Sequence, residues 1–161
     1  MTTHDYNTAV DAHADGLYRF VLKHIRDKDV ANDIIQDTFE KVWIKHENID
    51  ADKAKSYLYT TAYRTLIDET RKQKKIDKSV VIEEFEKGYE NHNYDLKKVL
   101  DIALAQLPEV QRSVVLLRDY EGYDYAQIGE ITGLSEAQVK VYIYRARIAL
   151  KQYIGKIENV L

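Results

Sequence analysis

The chain has no cysteine, one proline and six glycines in 161 residues. Without cysteine it can build neither a disulfide framework nor a thiolate metal site, which fits a reducing cytoplasm. So little proline and glycine leaves few enforced breaks and points to a chain that is mostly helix. No apolar run approaches the roughly 20 residues that a bilayer span needs. The opening MTTHDYNTAV lacks the apolar stretch of a secretory signal, so a cytoplasmic protein without membrane insertion is expected. Positive charge is not in excess either: 24 Lys and Arg stand against 27 Asp and Glu, a net charge of −3. That excludes a generally basic nucleic-acid coat, and any contact with DNA has to come from local patches.

Catalytic signatures are missing too. There is no glycine-rich phosphate loop, HExxH, GxSxG or calcium-loop spacing. The five histidines, His4, His13, His24, His46 and His92, are scattered without metal-ligand spacing and are expected at the surface or its edge. Paired carboxylates occur only in exposed-looking acidic stretches. The sequence predicts no enzyme, no cofactor and no bound metal.

Hydrophobic residues at 45% and charged residues at 32% describe a globular protein with one medium or two small domains. Apolar spacings of three and four predict a helix over Val10–Arg26 and a second from Asp29, with Ile34, Ile35, Phe39, Val42 and Trp43 as its buried stripe. Asp33, Gln36, Asp37 and Glu40 share the opposite face, which reads on its own as a solvated surface. After a loop at His46–Asp52, a third helix runs over Lys53–Lys75. Leu58, Ala62, Thr65 and Leu66 line one side of it; Lys53, Tyr57, Thr60, Arg64, Arg71 and Lys75 line the other. Basic residues interleaved with an aromatic suit a nucleic-acid backbone and an unstacked base, and suit an ordinary cationic surface about equally.

Composition then changes. Residues 76–94 carry clustered acidic residues, Gly88 and asparagines, and read as a linker with a short ordered piece at Val80–Phe85. Helical spacing resumes at Leu96–Gln106, Pro108 suits the first turn of the next helix, and Gly122 ends that helix. In Asp124–Leu150, Asp124 with Gln127 and Ser135 with Gln138 each have capping-box spacing. Gly133 supplies the left-handed turn between them, while Ile128, Ile131, Leu134, Val139 and Ile143 form an apolar seam. This is the layout of a helix-turn-helix, whose second helix enters the DNA major groove. On that helix Val139, Ile143, Ala146 and Leu150 face inward, and Ala137, Gln138, Val141, Tyr144, Arg145 and Ile148 face outward. Gln138 can pair with adenine, Arg145 with guanine or phosphate, and Val141 with a thymine methyl. Lys140 and Arg147 suit flanking phosphates. Most of the thirteen tyrosines read as core or domain contacts, with Tyr142 at the seam edge.

Three blocks in order resemble the extracytoplasmic-function branch of the sigma-70 family, over about Tyr6–Ile154. ANDIIQDTFEKVW at Ala31–Trp43 is similar to the region 2 helix that docks on the clamp helices of the RNA polymerase β′ subunit. YLYTTAYRTLIDETRK at Tyr57–Lys72 resembles the helix bordering the melted minus-ten element. The stretch Leu104–Lys151 resembles region 4, which reads the minus-thirty-five element. The resemblance implies an all-α protein with region 2 over residues 1–75, a linker over 76–94 and region 4 over 95–161. It implies core RNA polymerase, promoter DNA and an anti-sigma factor as partners. Asp33, Gln36, Asp37 and Glu40 become polymerase contacts. Lys53, Tyr57, Arg64 and Arg71 become a promoter-strand track, and the His46–Asp52 loop the place of base capture.

The wording departs from the family at Tyr63-Arg64, where Arg-Asn is more usual. It departs again at Ala137–Tyr142, where Gly-Thr-Val-Lys-Ser-Arg is common. The rival readings are a free-standing helix-turn-helix regulator, which calls for a ligand pocket or phospho-acceptor in Met1–Lys75, and a helical adaptor that binds no DNA.

Overall fold

The structure, a computed structural model, describes residues 1–74 and 96–160. The whole of the expected linker, residues 76–94, with its expected ordered piece at Val80–Phe85, lies outside those residues. Among the described residues the elements are helices and turns. Helix α1 (Thr3–Ile25) starts a full two turns before the predicted Val10, because Thr2 and Asp5 form a capping box that apolar spacing does not reveal. It ends where Arg26 takes a left-handed conformation. Helix α2 (Lys28–Lys45) is capped by Asp27 rather than Asp29: the Asp27 carboxylate accepts from the N–H groups of Asp29 and Val30. The expected loop at His46–Asp52 is two tight 3-10 turns, His46–Asn48 and Ala51–Lys53, which lead into α3 (Ala54–Lys74).

The C-terminal half has α4 (Leu96–Gln106), α5 (Glu109–Val115) continued by a π-type turn (Leu116–Tyr120), α6 (Tyr125–Thr132) and α7 (Glu136–Val160). Pro108 stands just before α5 as its N-cap residue. Each half makes its own bundle: α1, α2 and α3 pack on one another, and α7 takes α4, α5 and α6 along its length.

The halves also pack together. Helix α3 lies against α6, and α1 against α4 and the π-type turn. Buried residues from Leu17 to Ala146 form one continuous apolar cluster. Full burial of a Leu, Ile or Phe contributes roughly 1.5–3 kcal/mol, so this shared core is a large part of the stability. It explains why α3 is buried over a wider arc than its spacing foretold. Leu58, Ala62 and Leu66 turn toward α1 and α2 as expected, and Tyr59, Ile67 and Thr70 are buried as well.

Polar contacts between the halves are specific. Glu121, its side chain only 2% exposed, receives a two-pronged bond from Arg19 (2.9 and 3.1 Å) and a third from the Tyr59 hydroxyl at 3.0 Å. The π-type turn aims this carboxylate, since the Glu121 N–H bonds back to the Leu116 carbonyl at 3.0 Å. Tyr59 and Tyr123 meet edge to face at 5.0 Å. The Arg112 guanidinium donates to the carbonyls of Leu104, Ala105 and Leu107 at the end of α4, and to that of His24 at the end of α1, all at 2.9–3.0 Å. Those carbonyls have few or no helical donors left, so one side chain both caps α4 and joins the halves.

Two histidines correct the expectation of a surface position. His46 is buried against Trp43, and His24 is sealed between the halves. The His24 Nε2 lies 2.8 Å from the Ser113 hydroxyl, whose single proton goes to the Glu109 carbonyl. His24 is therefore the donor, as the neutral tautomer protonated on Nε2. Burial, reinforced by the Arg112 charge, pushes its pKa down to about 3.

Candidate nucleic-acid and polymerase interfaces

The helix-turn-helix forms as its capping residues dictate. The Asp124 carboxylate accepts the Gln127 N–H at 2.8 Å, and Gln127 Oε1 accepts the Asp124 N–H at 3.0 Å. Ser135 and Gln138 repeat the exchange at 3.1 and 2.9 Å. Gly133 closes α6 at φ +78°. Gly129 allows the helices to meet, because a Cβ there would stand 2.8 Å from the Leu134 carbonyl oxygen. Ile128, Ile131, Val139, Ile143 and Ala146 are buried along the seam.

The outward face of α7 is the one the wheel predicts: Ala137, Gln138, Val141, Tyr144, Arg145 and Ile148 are all exposed, as are Lys140 and Arg147 at its flanks. The structure separates them by what already holds them. Gln138 spends its side-chain oxygen on the cap, so a two-point contact to adenine would require breaking that bond. Arg147 is paired in two-pronged fashion with Asp119, at 2.6 and 3.1 Å, and Lys140 reaches Glu136 at 3.9 Å and lies over the Tyr125 ring. Val141, Tyr144 and Arg145 have no such tie among the described residues.

Lys53, at the end of the 3-10 turn that leads into α3, and Tyr57, Arg64 and Arg71 on α3 are exposed and Thr60 is half-buried beside them; Lys75 lies outside the described residues. That side of α3 remains open although the adjoining one is packed on the C-terminal half. On α2, Asp33, Gln36 and Glu40 are exposed and Asp37 is half-buried, paired with Lys41 at 3.0 Å. Trp43 was expected in the core and is 41% exposed, with Ile44 at 72%. The indole stacks on His46 (centroids 4.1 Å, 9° between planes), and Tyr6 meets its edge at 4.9 Å. A shallow cleft of about 480 Å³ joins Tyr6, Gln36, Phe39, Glu40 and Trp43. Exposed tryptophan and tyrosine side chains are enriched at protein interfaces. The signal was available in the sequence, since Trp43 follows Gln36 by seven positions and Glu40 by three.

No group of three or more potential metal ligands occurs among the described residues, and no described helix is long and apolar enough to cross a membrane. What the fold and its surfaces define is a two-bundle helix-turn-helix protein with an exposed acidic-aromatic face on α2.

Known proteins make this class particular. The family model described as "Sigma-70 region 2" matches residues 9–76, and "Sigma-70, region 4" matches residues 98–150. The chain is similar to the ECF RNA polymerase sigma factor SigM of Bacillus subtilis, with 31% identity covering 84% of this chain and 86% of that one. It is also similar to the RNA polymerase sigma factor SigV of the same organism, with 34% identity covering 86% and 84%. Among solved structures it shares its fold with the sigma factor RpoE in complex with the anti-sigma factor NepR from Bartonella quintana: TM-score 0.75, 20% identity, 94% of this chain and 97% of that one. CnrH in complex with the cytosolic domain of CnrY gives TM-score 0.74 at 19% identity, covering 96% and 90%. The chain belongs to the sigma-70 family of RNA polymerase sigma factors, in its extracytoplasmic-function branch.

Proposed function

We infer that this sigma factor divides its work between three surfaces. Asp33, Gln36, Asp37 and Glu40, with Trp43 beside them, dock on the basic clamp helices of core polymerase. Lys53, Tyr57, Arg64 and Arg71 track the promoter strand at the minus-ten element. Gln138, Lys140, Val141, Tyr144, Arg145 and Arg147 meet the minus-thirty-five duplex, Arg147 and Lys140 after exchanging their intramolecular partners for phosphates. Region 2 then spans residues 1–75 and region 4 residues 95–161, with 76–94 between them. The protein contributes no catalysis, works in the cytoplasm, and is held by an anti-sigma factor until it is needed.

The observation that carries this reading is that all three faces stay exposed while the two halves are packed together. Charge supports the order of events. At a net −3 the free chain is repelled by DNA outside its local cationic faces, and affinity for promoters arises when polymerase adds its own contacts. A regulator acting alone calls for a ligand pocket in the first half; of two open clefts described there, one is lined by Asp33, Asp37 and Glu69 and the other by Gln36, Glu40 and Trp43. The test is assembly: Asp33→Lys reduces binding to core polymerase, whereas Arg145→Ala leaves binding intact and abolishes promoter use. Equal loss of polymerase binding in both variants would contradict this division of surfaces.

A further inference from the structure

We propose that α7 reads thymine 5-methyl groups through an apolar ridge of Val141 and Tyr144, with Arg145 making the adjoining polar base contact. This rests on α7 being the minus-thirty-five helix and specifies what that helix selects. Val141 is 45% exposed and Tyr144 67%, and among the described residues neither side chain is tied to a neighbour. Positions 144 and 145 each lie about one helical turn from 141 and flank it on the outward side of α7.

The polar groups nearby are already engaged: Gln138 in the cap, Arg147 with Asp119, Lys140 with Glu136. What the helix offers to a base edge is therefore mainly apolar. Around the ridge stand Arg145 and Lys151, with Lys140 and Arg147 beside them in ion pairs to Glu136 and Asp119, a basic surround on a chain whose net charge is −3. That surround complements a polyanion, so the occupant is duplex DNA rather than a protein helix. In the major groove thymine alone presents a methyl group. The element this chain selects accordingly contains T·A pairs recognised by their methyls, beside a guanine facing Arg145.

The test uses the complete sigma factor assembled with core polymerase. Fragments randomised across the upstream element are selected for open-complex formation, and each thymine of the enriched element is then replaced by deoxyuridine, which removes only the methyl. Open-complex formation falls about fourfold for each methyl that is buried. Val141→Ser removes the sensitivity at one position, Tyr144→Ala removes it at a neighbouring one, and both variants melt like the parent. Normal initiation that ignores deoxyuridine at every thymine overturns the proposal. So does an enriched element without T·A pairs, or variants that keep the parental methyl sensitivity. A lowered melting temperature would assign the two side chains to the fold and overturn it as well. Failure to initiate on any fragment is a different result, since it removes the sigma reading itself.

Discussion

Arg112→Met is expected to cost this protein much of its margin of stability. The guanidinium makes four charge-assisted bonds to carbonyl oxygens, three at the end of α4 and one at the end of α1. Such bonds contribute about 1.5–3 kcal/mol each. Burying the charge offsets part of that gain. It lowers the Arg112 pKa to about 10, well below the ordinary guanidinium value, a penalty of roughly 3 kcal/mol. Methionine fills similar volume, removes the penalty and takes a donor from each of the four carbonyls, of which Leu104 keeps the Leu107 N–H at 3.1 Å, for a net loss of about 3–5 kcal/mol. In a chain of this length that lowers the melting temperature by roughly 10 °C. Urea unfolding followed by far-UV circular dichroism and by the single tryptophan measures it, because Trp43 reports the first bundle and dichroism reports both. Arg112→Lys keeps the charge without the planar fork and recovers only part of the loss. A loss below about 1 kcal/mol for Arg112→Met would refute the reasoning, since those carbonyls would then have other partners.

Other expectations follow from the same contacts. His24 titrates near 6.5 when exposed and near 3 when sealed in, so the unfolded chain binds more protons between those values. Its contribution is complete above pH 6.5 and is lost as pH falls toward 3; at pH 5 the loss is roughly 2 kcal/mol. Denaturation across this range reads the slope, and His24→Gln flattens it; an unchanged slope would clear His24 of the role. Gly129→Ala places a methyl 2.8 Å from the Leu134 carbonyl oxygen, which costs about 1–3 kcal/mol and weakens promoter use; a parental melting curve would show that the helices can part freely. Asp33→Lys weakens core-polymerase binding about tenfold or more without altering the melting curve, measured by fluorescence titration; undiminished affinity would remove Asp33 from the docking face.

The C-terminal module was legible in the sequence because its determinants are local. Asp124 and Gln127, Ser135 and Gln138, and Gly133 act within a turn or two, and each does in the structure what its spacing implied. The inward and outward faces of α7 follow from a single period. The contact between the halves was not legible. Arg19 and Glu121 are 102 positions apart, and His24 and Ser113 are 89 apart. No periodicity links them, so the second buried face of α3 and the burial of His24 stayed hidden. Trp43 was misplaced for a related reason: its spacing from Val42 and Phe39 suits a core, and only the packing of α1 across α2 leaves its indole outside. The site residues were named from the resemblance and the wheel, while which of them are already held by a neighbour, as Gln138 and Arg147 are, is a matter of side-chain geometry alone.

The most direct measurement is promoter-dependent transcription by core polymerase with and without this chain, on fragments from its own genome. Discrete transcripts that begin downstream of a shared upstream element, and vanish with Arg145→Ala while polymerase remains bound, are the expected result. Transcription that is the same whether or not the chain is present, or initiation that survives Arg145→Ala undiminished, would contradict it.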